Sequence, residues 1–388
     1  MLFTDVTFVL LVVGCWLTFA AAAPPRRGAL LALWGGLFYA AYAGAVAPLV
    51  LGLIVATYLI PVRYWMLPVA ATVGVLAYYK ALAADSGLAS ILATSTASSP
   101  RVLMPLGLSF LSFELIHFAV ERRRGKIGRV AFDEFMAYAL YFPCRVAGPI
   151  RRYPEFATAV AAARPSAATV YAGLLRVLVG AFKKMAIADV LGLTVSEIAY
   201  VGAPLHAIKI LLAYSLQIYF DFSAYSDIAI GISRMFGITV PENFNYPYFS
   251  TSIQEFWTRW HISLSSWVRD YVFLPLGRAA FATRLRERPT IIAVATYLVA
   301  FLVMGAWHGL TANFLLWGAY HGVLLSIYHV YRRTLGARLA AFPIAHSIPA
   351  RVTASATTFA LVSLGWILFM TPDPAAALRL LRLMAGWP

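Results

Sequence analysis

Two histidines in a largely apolar chain are the side chains best placed to do chemistry. His261 lies in Phe256-Trp-Thr-Arg-Trp-His-Ile-Ser-Leu-Ser-Ser-Trp-Val-Arg-Asp270 and His308 in Met304-Gly-Ala-Trp-His-Gly309, each directly after a tryptophan. Ionisable groups at membrane depth are costly and normally face a bundle interior or a water-filled path, which makes them site candidates. His308 stands between two apolar runs, 290–307 and 312–330, with Thr311 placed to cap the second. An imidazole just before a helix N-terminus feels the positive dipole end, which favours the neutral form that a general base requires. Either histidine alone reads as readily as a packed structural residue. The pair, flanked by other polar groups, brings the functional reading level with the structural one.

The elements that must position this pair carry polar groups of their own. Gln217-Ile-Tyr-Phe-Asp-Phe-Ser-Ala-Tyr-Ser-Asp-Ile-Ala-Ile-Gly231 holds Asp221, Ser223, Ser226 and Asp227 inside an apolar run. Carboxylates there need hydrogen bonds or a cation. Other helices must supply them, and we assign both aspartates to architecture first. Val240-Pro-Glu-Asn-Phe-Asn-Tyr-Pro-Tyr248 is turn-forming. From Ser252 to Tyr271 the pattern predicts one amphipathic helix, interfacial or re-entrant. Trp260, Leu264, Trp267 and Tyr271 share a face, and Trp257, His261 and Ser265 share the adjacent stripe. Glu255 and Arg259 are spaced for an i, i+4 pair. Upstream, Glu114 and His117 share a helix face, and Arg151, Arg152 and Glu155 follow a Gly148-Pro149 break as interface anchors.

Composition fixes the class. The 388 residues are 61% hydrophobic and only 12% charged, with a mean hydropathy of +0.77, whereas soluble domains carry roughly 25% charged residues. The chain is expected to be an all-α integral membrane protein with about ten to twelve membrane helices. Apolar stretches run over 4–23, 29–46, 48–61, 65–84, 102–120, 132–147, 167–182, 185–201, 207–232, 290–307, 312–330 and 352–370. The first reads as a retained helix rather than a cleaved signal, since Asp5 precedes any basic residue. Arg26 and Arg27, the run Glu121–Arg129 and the segment holding Arg278, Arg284, Arg286 and Arg288 are expected on the cytoplasmic side.

Net charge is +15, from 31 basic and 16 acidic residues. Topology and anionic headgroups account for it, and basic residues spread over membrane-edge loops argue against nucleic acid as a partner. Cys15 and Cys144 have neither metal nor disulfide spacing and read as packing residues, so no metal site is expected. One polytopic domain over 1–388 is the simplest organisation. Residues 1–100 form scaffold, 101–330 a motif-bearing region and 331–388 terminal helices. The Ser/Ala-rich stretch 86–100 reads as a loop or an interfacial segment.

At these residues the chain resembles the membrane-bound O-acyltransferase family, in its bacterial branch of alginate O-acetylation and D-alanyl transfer proteins. Asp221-Phe-Ser-Ala-Tyr-Ser-Asp227, Pro241-Glu-Asn-Phe-Asn-Tyr-Pro247 and Arg259-Trp-His-Ile-Ser-Leu-Ser265 together carry the resemblance, with Pro105–Phe110, Gly148–Phe156 and Trp307–Gly309. The resemblance implies a ring of helices around a tunnel, with His308 as the essential histidine and His261 as its partner. It implies supporting or tunnel-lining places for Trp307, Trp257, Arg259, Ser263, Asp221, Tyr225, Asp227 and Asn243. It implies an acyl group, acetyl first, moving from a cytoplasmic thioester to an exported or cell-surface polysaccharide. The donor is then acetyl-CoA or a phosphopantetheine carrier thioester, with no tightly bound cofactor. A periplasmic or membrane-anchored acyltransferase- or esterase-like partner and a place in the bacterial inner membrane follow. The loop after Pro275-Leu-Gly277 departs from the alginate type, so a D-alanyl transferase fed by a carrier protein is the neighbouring reading. The rival of another class is a proton-coupled transporter or channel with Glu114, His117, Asp221 and Asp227 as its relay.

Overall fold

The computed structural model describes residues 2–83, 105–336, 342 and 347–387; the stretch 86–100 lies outside them. Every regular element among the described residues is helical. Two helices, Pro289–His308 and Ile348–Met370, are long and apolar enough to cross a membrane, and Val6–Ala21, Gly44–Leu59 and Met66–Leu82 are shorter apolar segments. The chain divides into two compact units, Met1–Lys183 with Phe222–Glu242, and Lys184–Asp221 with Asn243–Pro388. The helix Pro204–Met235 gives its first part to the second unit and its last part to the first.

The first unit is an aromatic-rich bundle. Phe8, Phe19, Phe38, Phe118, Phe135 and Tyr138 are buried at its centre, where edge-to-face and offset ring pairs add to the burial of large apolar area. Cys15 and Cys144 are buried here as free thiols. The helix Ala167–Phe182 packs closely on the 222–235 segment because Gly173 faces Gly231, and Gly180 faces the Ala224 carbonyl at 2.7 Å from where a Cβ would stand. That approach brings Arg176 and Lys183 to Asp227, at 2.9 Å and 2.6 Å. The expectation that another helix supplies the partners of Asp227 is met.

In the second unit the helices Pro289–His308 and Ala312–Tyr331 form a tight antiparallel pair. Small residues let apolar helices approach without a side chain between them. Gly305, Gly318 and Gly322 do this here, each set against backbone of the opposing helix. The end of Ile348–Met370 is tied on by Asn313, whose Nδ2 donates to the Thr371 carbonyl at 2.8 Å.

Candidate active site

The single helix expected over 252–271 is broken at its centre. Ile253–Arg259 and Ile262–Val268 are separate helices, and the chain then passes through a wide-turn segment, Arg269–Phe273, into Leu274–Phe281. His261 is the hinge, with φ 43° and ψ 53° in the left-handed region. That conformation costs an L-residue about 1–2 kcal/mol. Tertiary hydrogen bonds hold it open against the helical pattern. Asn245 N donates to the Arg259 carbonyl (3.0 Å), and Ile262 N donates to the Asn243 carbonyl (2.9 Å). Ser263 Oγ donates to Asn243 Oδ1 at 2.6 Å, with both residues buried. The Pro/Asn-rich turn thus clamps the backbone beside His261.

His261 is buried, at 3% exposure. Trp307 neighbours both histidines, with its ring centroid 6.5 Å from His261 and 4.7 Å from His308. His308 is half-buried and walled by Trp317 at 5.2 Å, Phe369 at 5.0 Å and Phe314 at 6.0 Å. One imidazole is therefore partly accessible and the other buried.

Two details of the His308 neighbourhood differ from expectation. His308 is the last residue of its helix. Its nearest helix end is thus the negative C-terminal one, and the dipole argument for a neutral imidazole does not hold. Thr311 occupies the N-cap position of the next helix, yet its side chain makes no capping bond.

Of the other sequence candidates, Trp257 is buried at 4.9 Å from Phe301 and 5.1 Å from His321. It supports the wall. Arg259 makes its i, i+4 pair with Glu255 at 2.6 Å. Partial burial opposes ionisation of Glu255, but the Thr251 backbone and hydroxyl donors and the Arg259 guanidinium outweigh it and hold the carboxyl below its usual range. Asp221 is half exposed and bound to Lys184 at 2.6 Å, not buried in a knot as expected. Tyr225 and Asp227 belong to the first unit, where Tyr225 packs on Phe3 at 4.4 Å.

His321 went unread in the sequence, and Glu114 was read as a polar pair with His117 near a helix end. His321 is fully buried among Trp257, Trp317 and Trp366, and neither ring nitrogen has a hydrogen-bond partner among the described residues. Its spacing from Trp317, one helical turn, was the available signal. Glu114 is no helix-end polar group. It is buried and shared by Arg145 at 2.9 Å and Arg151 at 2.7 Å, while His117 Nε2 accepts from Tyr153 N at 3.0 Å. Arg151 is buried rather than an interface anchor.

Comparison with known proteins places this geometry. The model of the membrane-bound O-acyltransferase family matches residues 55–342. The chain belongs to that family. It is 33% identical over 330 residues to a Pseudomonas syringae pv. tomato protein named "Probable alginate O-acetylase AlgI", covering 82% of this chain and 60% of that protein. It is 29% identical over 396 residues to the Helicobacter pylori peptidoglycan O-acetyltransferase, covering 90% of this chain and 72% of that protein. With the Bacillus subtilis teichoic acid D-alanyltransferase it shares 32% identity over 241 residues, 59% of this chain and 60% of that one. The chain thus spans about 60% of the length of the alginate O-acetylase it matches. The membrane-bound O-acyltransferase family is membrane-integral and these relatives are bacterial.

Proposed function

We propose that this chain is an O-acyltransferase of the bacterial inner membrane, crossing it ten to twelve times around a tunnel. It moves an acetyl group from a cytoplasmic thioester to a hydroxyl presented on the outer side, for O-acylation of an exported or cell-surface polysaccharide. The observation that carries the reading is the half-buried His308 and the buried His261 packed on one tryptophan, Trp307. His308 takes the hydroxyl proton as oxygen bonds to the thioester carbonyl carbon. The carbon–sulfur bond then breaks, and the thiolate leaves with the proton that His308 returns. His261 polarises or orients a reactant. Such a transfer needs positioning, one base and charge stabilisation. Acetyl-CoA or a phosphopantetheine carrier supplies the thioester, and a periplasmic or membrane-anchored acyltransferase- or esterase-like protein hands the acetyl group on.

The names of two relatives, an alginate O-acetylase and a peptidoglycan O-acetyltransferase, support acetyl as the group. The teichoic acid D-alanyltransferase supports the second reading, D-alanyl transfer from a carrier protein. A proton relay has less support. Glu114 and Asp227 are each held by two basic side chains, and His117 Nε2 accepts a backbone hydrogen bond. Purified protein in sealed vesicles is given labelled acetyl-CoA or a D-alanyl carrier thioester. His308→Ala is expected to stop label transfer while leaving expression unchanged. Wild-type transfer by that variant removes His308 from the chemistry, and transfer from the D-alanyl donor alone selects the second reading.

A further inference from the structure

The buried charges of the first unit do not balance. Arg145 and Arg151, with side chains 0% and 1% exposed, share the one carboxylate of Glu114. Among the described residues, two guanidiniums against one carboxylate leave a surplus positive charge away from water, where an unpaired ion costs several kcal/mol. Arg151 spends only Nη2 on Glu114, and its Nε and Nη1 make no hydrogen bond among the described residues. Tyr138, Tyr141 and Phe156 surround its guanidinium at 5.5, 4.8 and 4.9 Å. Rings stabilise a cation, but they carry no countercharge.

Arg151 also lines a cavity of about 210 Å³, together with Arg152, Glu155, Phe156, Thr239 and Pro241. At about 30 Å³ per water, that volume takes a phosphate group with room for solvent. Arg152 is half-buried and Glu155 is exposed. The next acidic residue along the chain, Glu242, is committed to Arg176 through both oxygens. Thr239 and Pro241 follow Gly237, which abuts the Arg164 backbone. Ala163 in turn accepts a hydrogen bond from Arg27 at 2.7 Å, and Arg27 belongs to the first basic loop, assigned to the cytoplasm.

We infer that this cavity binds a phosphate-bearing anion, drawn by the surplus charge of the buried Arg151 beneath it and held at the rim by Arg152. Guanidinium forks match phosphate oxygens in geometry and charge. Two sources carry that chemistry on this side of the membrane: the phosphate of a pantetheine-type thioester donor, and an anionic lipid headgroup. The donor assignment rests on the acyltransferase reading above, whereas the anion site itself does not.

The test uses the full chain in nanodiscs of phosphatidylcholine, titrated calorimetrically with 4′-phosphopantetheine, inorganic phosphate and unphosphorylated pantetheine. The two phosphates are expected to bind and compete, and pantetheine is not. Arg152→Gln should weaken binding about tenfold, the scale of one charge-assisted hydrogen bond. Glu155→Gln should tighten it, since a carboxylate at the rim repels the ligand. Phosphatidylglycerol discs then separate the sources. If that lipid displaces phosphopantetheine and raises the melting temperature, with the same variants shifting both effects, the occupant is the headgroup. No phosphate-dependent binding or stabilisation in either disc overturns the site, as do affinities indifferent to Arg152→Gln and Glu155→Gln. Label transfer from acetyl-CoA is measured on the same preparations. A chain that binds phosphate but transfers no acetyl keeps this site and loses the acyltransferase reading.

Discussion

Gly318→Ala opposes two effects of similar size and opposite sign. Alanine is a better helix former than glycine by about 1 kcal/mol, so propensity alone predicts a more stable protein. The position decides otherwise. A Cβ at Gly318 would overlap the Phe301 carbonyl oxygen and stand 3.0 Å from the Phe301 carbonyl carbon and 3.2 Å from Leu302 Cα, all on the opposing helix. Ordinary carbon contacts lie at about 3.5–4.0 Å, so the helices must part by about 0.5–1 Å. Overpacking of this kind costs about 1–3 kcal/mol, which exceeds the propensity gain over most of its range. Trp317, the adjacent residue, forms part of the His308 wall at 5.2 Å. A misplacement near 1 Å costs reactions about 10²-fold. Gly318→Ala should therefore melt lower in detergent and transfer labelled acetyl about a hundredfold more slowly. Gly52→Ala is the control, because nothing lies within 4 Å of a Cβ there, and it should be neutral or slightly stabilising. Wild-type turnover and melting in Gly318→Ala would refute the close-packing argument.

Other substitutions probe the remaining contacts. His261→Gln should lower turnover by up to the 10²–10⁴-fold typical of an acid–base group, and full activity would end its orienting role. Asp227→Asn should lower the melting temperature through the loss of two ion pairs. The cost falls toward the low end of the roughly 3–5 kcal/mol for buried pairs, because Arg176 and Lys183 are 25% and 24% exposed. Asp221→Asn, at a half-exposed site, should cost about 0–1 kcal/mol, and equal melting shifts in the two variants would contradict this ranking. Replacing Arg284, Arg286 and Arg288 with Gln should raise the apparent KM for donor in a salt-sensitive way, with less effect on kcat. Cysteines placed in that segment should react with an impermeant reagent from the cytoplasmic face; reaction from the outer face alone would reverse the assigned orientation.

What the sequence conveys depends on the range of the interaction. The helical class and the Glu255–Arg259 pair follow from local spacing, and the structure contains both. The break at His261 was hidden because Trp260, Leu264 and Trp267 keep a helical stripe across it. The force that opens it comes from Asn243 and Asn245, well upstream. Long-range pairing likewise conceals the Arg151–Glu114 contact, 37 positions apart. A membrane-edge arginine and a buried one look alike until the fold brings Glu114 to it. The signal of the buried His321 was weak because its one-turn spacing partner, Trp317, is an aromatic residue of the kind that also fills cores.

The left-handed backbone at His261 narrows the alphabet that this position tolerates. Glycine, asparagine, aspartate and histidine are the residues that accept positive φ most readily, and of these only histidine carries an imidazole. A glutamine or tyrosine at this position would bring backbone strain with it. Glycine would relieve the strain and discard the chemistry. Stability and activity thus pull in different directions at one residue, and a screen for thermostable variants should collect substitutions here that fold better and transfer less.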